Sequence, residues 1–192
     1  MAIDGKRIGM REAPVYLALH KPAGVVTTLD DPEGRPSIAD YVRRLKHRVF
    51  PVGRLDFQSS GLLLLTNDGD LALRLTHPRY HVAKTYRVKV HGHPDEQSLA
   101  RLRQGIRLID GVTAPAGVRV VSEAGSKTWL EVTIAEGKNH QIRRMCEAVR
   151  LRVDKLQRIT IGPLKLGSLP RGACRALTDA ELARLRHAVA ME

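Results

Sequence analysis

Cysteine, aromatic residues, acidic charge and long apolar runs are all scarce in this chain of 192 residues. Its two cysteines, Cys146 and Cys174, are too few for a disulfide framework and do not form a C-x-x-C metal pair, a usage that fits a reducing cytoplasm. Aromatics make up only 4%, so stacking platforms of the RRM or OB type are poorly supplied. No apolar run approaches the length of a membrane span, and the opening MAIDGKRIGMREAP has no apolar signal core. Both common glycine-rich phosphate loops are absent. His77, His81, His91 and His93 follow no zinc-type spacing, and NDGD (67–70) lacks EF-hand spacing and reads as a hairpin turn. No metal site and no cofactor are expected.

What is present in excess is positive charge. Thirty-two Lys and Arg stand against 20 Asp and Glu, a net +12 spread along the whole chain. A polyanion is the natural partner, and nucleic acid is the commonest. No basic amphipathic anchor or lipidation signal points to a membrane. A hydrophobic content of 43% is ordinary for a folded domain.

Residues 15–29, VYLALHKPAGVVTTL, read as two strands interrupted by a turn at 21–24, and Ser37 as the N-cap of a helix reaching Leu45. GLLLLT (61–66) reads as a strand buried on both faces, and a helical piece follows over Leu71–Leu75. KTYRVKV is the clearest strand, with Lys84, Tyr86, Val88 and Val90 on one face. A helix over 95–104 stops at Gly105, and two strands, GVRVV and TWLEVTIA, follow. Ile142, Met145, Cys146 and Val149 then repeat at helical spacing, and Thr178 with Glu181 signs a capping box for a final helix. Strands outnumber helices without alternating with them, which predicts α+β with a largely antiparallel sheet.

Three residues stand out for chemistry, and each has a plainer reading alone. Asp56 could be a turn acid paired with Arg54, HQIRRM (140–145) a solvated basic helix face, and Tyr86 a core tyrosine. Together, HKPAGVVTT, GRLDFQSSGLLLLTNDGDLALRLTHPRY, KTYRVKV, EGKNHQIRRMCEAV and IGPLKLGSLPRGACRALT follow one another as in the bacterial ribosomal RNA pseudouridine synthases. The resemblance runs from Val15 to Leu177 and is to the RsuA/RluB/RluE/RluF branch. AIDGKRI is similar to the tail of the S4 RNA-binding domain common in that branch. Residues 1–13 are therefore expected to be an S4 remnant or linker, and 14–192 the catalytic domain.

The resemblance implies a pseudouridine synthase fold: a mainly antiparallel mixed sheet flanked by helices, in two lobes around a central active-site cleft. It implies an enzyme that isomerises a uridine of large- or small-subunit ribosomal RNA without a cofactor, as a cytoplasmic monomer working on ribosomal RNA or a pre-ribosomal particle. By that resemblance Asp56 is the catalytic acid, Tyr86 lies against the target base, Arg143 ion-pairs with the acid, and Arg54 enters the RNA stack. Lys21, Lys84, His140 and Arg144 are expected to hold RNA. The other readings are a non-catalytic ribosomal RNA-binding or assembly factor, for which Asp56 would be dispensable, and a metal-dependent nuclease, which would need clustered carboxylates. Arg150 stands where a glycine usually ends the helix, and a positive φ there would strain it.

Overall fold

The computed structural model describes residues 12–191 throughout, with the backbone of two short strands before them, β1 (Ala2–Ile3) and β2 (Lys6–Arg7). The expected S4 remnant or linker at 1–13 thus lies mostly outside the described residues. From there the chain runs β3 (Tyr16–Lys21), α1 (Ala39–Val42), β4 (Phe50–Pro51), β5 (Ser60–Thr66), α2 (Gly69–Thr76), β6 (Lys84–His91) and α3 (Glu96–Gln104). It continues through β7 (Arg107–Leu108), β8 (Gly111–Val112), β9 (Gly117–Ala124), β10 (Lys127–Ile134), α4 (Gln141–Ala148), β11 (Val153–Ile161), β12 (Leu164–Lys165), β13 (Cys174–Ala176) and α5 (Asp179–His187).

Nine of these strands form one sheet in the order β13-β3-β5-β11-β6-β10-β9, with β4 beside β5 and β12 beside β11. Two antiparallel blocks meet in its middle, where β11 pairs with β5 in parallel through Gln157–Ser60 and Arg158–Gly61. The expected α+β class with a mainly antiparallel mixed sheet is what the chain adopts. Leucines 62 to 65 are fully buried, and their alternation divides them between the two faces. Leu63 and Leu65 pack with Leu17, Val88, Ile142 and Met145, whereas Leu62 and Leu64 pack with Ala18, Leu71, Ile161 and Leu185. Each contributes roughly 2 kcal/mol relative to exposure.

Several local expectations change. Only the first half of 15–29 is a strand; Val26 makes a lone bridge to Ser37, because the Lys21 ammonium donates to the Pro22 and Val25 carbonyls and curls the chain. The helix after Ser37 is one turn, Ala39–Val42, since the basic run Arg43–Arg48 that follows repels itself and offers little apolar periodicity. NDGD is no hairpin turn. Asp68 caps α2, its Oδ1 accepting from the Leu71 amide at 3.1 Å. The capping box of α5 is present as expected.

Arg150 has φ 61° and is exposed, so the anticipated left-handed conformation is real. Arg150→Gly is expected to stabilise the fold by about 1 kcal/mol, read as a raised urea midpoint. Gly61 is the opposite case: its φ is 114°, and a Cβ there would meet the Arg158 carbonyl oxygen at 2.2 Å. Gly61→Ala is expected to cost at least about 2 kcal/mol in the same measurement.

Candidate active site

Asp56 lies on the loop between β4 and β5, and that loop is pinned residue by residue. The Arg54 carbonyl accepts from Arg158 Nη1 at 3.4 Å. The Thr27 hydroxyl donates to the Leu55 carbonyl at 2.7 Å and accepts from the Leu55 amide at 3.2 Å. The Asp56 carbonyl accepts from the Ser59 amide at 3.0 Å, and that of Phe57 from the Gly24 amide at 2.7 Å. The curled segment after Lys21, expected as a strand, is therefore the strap that holds this loop.

The Asp56 side chain is one-third exposed and lies between two hollows. One is a cavity of about 350 Å³ whose wall includes Arg54, Ser59, Lys84, Tyr86, His140 and Arg158. The other, a shallower groove of about 410 Å³ along Thr27, Asp31 and Arg35, shares Arg54, Leu55, Asp56, Asn139 and His140 with it. A strand of chain lying in the groove could send one unit past Asp56 into the cavity, a size ordinary for a ligand site.

The expected residues divide into those at the cavity and those used elsewhere. Arg54, Asp56, Lys84, Tyr86 and His140 share its wall. His140, expected on RNA, has its Nε2 3.5 Å from Asp56 Oδ1. Its left-handed backbone, φ 47°, turns the chain into α4 just there.

Arg143 was expected to pair with the acid. Its Nη2 instead donates to the Gln58 carbonyl at 3.4 Å, and it makes no ion pair with Asp56, so α4 reaches the loop through backbone rather than charge. Arg144 was expected to hold RNA, but its guanidinium forks onto Asp110 with both bonds at 2.9 Å, tying α4 to the tip between β7 and β8.

Lys21 was also expected on RNA, yet it is fully buried behind the loop, out of reach of any phosphate. Burial pushes its pKa down to about 8; the charge of Asp56 opposes that shift and the charge of Arg158 adds to it. Burial likewise lowers Lys84, whose ammonium donates to the Val82 carbonyl at 2.9 Å.

Sequence reasoning missed Arg158, which is 3% exposed and donates from Nε to the Leu62 carbonyl at 2.8 Å. Its signal was available: in LQRITI it follows Leu156 at the inward phase of a strand, where a charge needs a reason. Among the described residues no group of three or more His, Cys, Asp or Glu is placed to hold a metal ion.

The fold is that of a class of RNA-modifying isomerases, as comparison with known proteins shows. The family model described as RNA pseudouridylate synthase matches residues 15–148, and the chain belongs to that family. It is 46% identical over 178 residues to the ribosomal large subunit pseudouridine synthase B of Bacillus subtilis, covering 92% of this chain and 73% of that one. It is 44% identical over 191 residues to an uncharacterized RNA pseudouridine synthase of Aquifex aeolicus, covering 99% and 76%. A crystal structure of a pseudouridylate synthase superposes with a TM-score of 0.83 at 35% identity, over 91% of this chain and 74% of the other. The pseudouridine synthase fold expected from the motifs is thereby established, and the protein is an RNA pseudouridine synthase.

Because the folded pKa of Lys21 lies below the ordinary lysine value of 10.5, the folded protein holds fewer protons than the unfolded chain between about pH 8 and that value. The Lys21 contribution to stability therefore rises with pH across this window. Urea melts at about pH 7 and about pH 9.5 are expected to show the native protein gaining on Lys21→Met as pH rises. A pH-independent difference would contradict the burial of a charged ammonium.

Proposed function

We propose that this protein isomerises a uridine of large-subunit ribosomal RNA to pseudouridine, with Asp56 as its catalytic carboxylate and a flipped-out nucleotide as its substrate. The observation that carries this reading is the placement of Asp56, on a loop held from both sides, at the mouth of a cavity lined by Tyr86 and four cationic side chains, Arg54, Lys84, Lys138 and Arg158. The large-subunit assignment draws on the likeness to the large-subunit synthase of Bacillus subtilis. The net charge of +12 supports a ribosomal RNA or pre-ribosomal partner held largely through its phosphates. The free thiols of Cys146 and Cys174 fit a reducing cytoplasm.

Isomerisation breaks the bond from C1′ to N1, turns the freed uracil, and makes a bond from C1′ to C5. Nothing is oxidised or hydrolysed. A carboxylate serves by attacking C1′, by attacking C6, or by removing a ribose proton, and each role needs it ionised where water is excluded. A base within a helix cannot reach such a cavity, so the nucleotide leaves its stack. Tyr86, only 9% exposed, then offers the ring a flat face, and Arg54, exposed at the rim, is placed to enter the vacated stack.

The retained Asp56 separates this reading from that of a non-catalytic assembly factor. In a strain deleted for this protein, carbodiimide primer extension of total ribosomal RNA is expected to lose one stop. The native gene restores it and Asp56→Ala does not. With purified protein, Asp56→Ala is expected to lower product formation by at least about 10³-fold while RNA affinity stays within about threefold. Retained activity in Asp56→Ala would overturn the assignment.

A further inference from the structure

Arg158 pairs in register with Gly61 on one side and Tyr86 on the other, so its side chain emerges beside the tyrosine on the same face of the sheet. Among the described residues it and Lys21 are the buried side chains with full positive charge. Two of its nitrogens donate to the Leu62 and Arg54 carbonyls, but Nη2 is buried without a hydrogen-bond partner, as is the Ser59 hydroxyl on the same wall. Neither Arg158 nor Lys84 makes an ion pair within 4.0 Å among the described residues. The charge of Arg158 is felt at Lys84, where it adds to the lowering by burial.

The cavity wall as a whole carries four Lys and Arg side chains against two carboxylates, Asp56 and Glu136. Two of those cations, Arg54 and Lys138, belong to the rim, and Lys138 donates to the carbonyls of Asp110 and Val112. Arg158 and Lys84 lie deeper, next to the tyrosine. A buried cation with no carboxylate is costly, and its retention at a cavity points to an anion that arrives with the substrate.

We propose that Arg158, seconded by Lys84, holds the negative charge that develops on the uracil ring while the base is being moved from N1 to C5 attachment. This rests on the function proposed above. When the bond from C1′ to N1 breaks, its electron pair leaves with the uracil and spreads over N1 and the two carbonyl oxygens. If Asp56 first attacks C6, the charge passes through C5 to the C4 carbonyl oxygen as an enolate. After the new bond from C1′ to C5 forms, the C5 proton is lost, N1 gains one, and the ring is neutral again. The charge is thus transient by every route, and donors fixed before it appears stabilise it without reorganising.

A flipped nucleotide offers a second oxyanion, its phosphate. Phosphates run along the outside of the chain and suit the rim cations, whereas Arg158 stands beside the residue that faces the ring.

The test is single-turnover conversion of an RNA substrate by the native protein, Arg158→Gln, Arg158→Lys and Lys84→Met, with RNA affinity measured separately. Each is run with uridine and with 5-fluorouridine at the target. The readout is disappearance of the starting nucleoside after nuclease digestion, because C5 of the fluorinated base has no proton to lose and the last step cannot finish there. Fluorine withdraws charge from the ring, so breakage of the bond to N1 then needs less help from the protein. With uridine, Arg158→Gln is expected to slow this step by roughly 10²–10³-fold, with RNA affinity unchanged and partial recovery in Arg158→Lys. With 5-fluorouridine the loss is expected to shrink at least about tenfold, because the base supplies the stabilisation that the missing cation gave. Equal losses on both bases would mark a purely structural role and overturn the proposal. Weakened RNA affinity, with a shallower salt dependence and an unchanged rate, would assign Arg158 to phosphate and also overturn it. Should Arg158→Gln not fold, Lys84→Met decides by the same comparison of bases. If the native protein converts no RNA, the function itself is wrong, which is a separate result.

Discussion

The structure turns on one close approach, that of Gly61 to the backbone of Arg158. Two antiparallel blocks become one sheet through two registered pairs between β5 and β11, and at one of them any side chain on residue 61 would collide with main chain. The missing side chain lets β11 lie against β5, and that contact carries the Arg158 guanidinium into the interior. There it donates to the Leu62 carbonyl on β5 and to the Arg54 carbonyl on the loop ahead of β5. Desolvating a guanidinium costs several kcal/mol, and two backbone acceptors offset only part of it. What the fold gains is position: one side chain joins the sheet seam to the loop that presents Asp56.

That loop shows how an acid is fixed without being buried. Its backbone is gripped by the Thr27 hydroxyl, the Gly24 amide, the Ser59 amide and Arg158, while the carboxylate itself stays one-third exposed beside His140. Lys21 stands behind it, sealed from water and held by two carbonyls of the strap. Positive charge therefore surrounds Asp56 at three depths, with Lys21 beneath, Arg158 and Lys84 within the cavity, and Arg54 at the rim. The proposed attack on a sugar or a base needs a carboxylate where solvent is partly excluded, and these are the side chains placed around it.

Much of this was legible in the sequence wherever the cause is local. The alternation in KTYRVKV, the unbroken leucines of β5, the Thr178–Glu181 capping box and the strained Arg150 all follow from residues within a turn or a strand of one another. That Asp56 and Tyr86 stand together was implied by the resemblance of the motifs; Lys84, expected only to hold RNA, shares their cavity. What failed depended on distant pairing. Arg144 looks like a free basic residue until the fold supplies Asp110 as its partner, and Lys21, whose carbonyl partners are local, until the fold buries it. Arg143 lies three residues beyond His140, and which of them meets the acid depends on the left-handed turn at His140, which no local rule demanded. Arg158 contacts groups 96 and 104 positions away, and only its inward phase on β11 hinted at burial.

Unfavourable features elsewhere in the molecule sharpen the meaning of these cations. Arg150 sits at φ 61° on an exposed corner, and nothing in the structure offsets its strain. That cost stands alone and touches no part of the cavity. The costs around Asp56 differ in kind, since Lys21, Lys84 and Arg158 are all desolvated within one neighbourhood and the charge of Arg158 adds to the lowering of both lysines. Folding alone would be served as well or better by aliphatic side chains at such positions. Three unfavourable cations gathered round one acid are instead what a site must contain if it is to meet negative charge on a base that carries it only in passing.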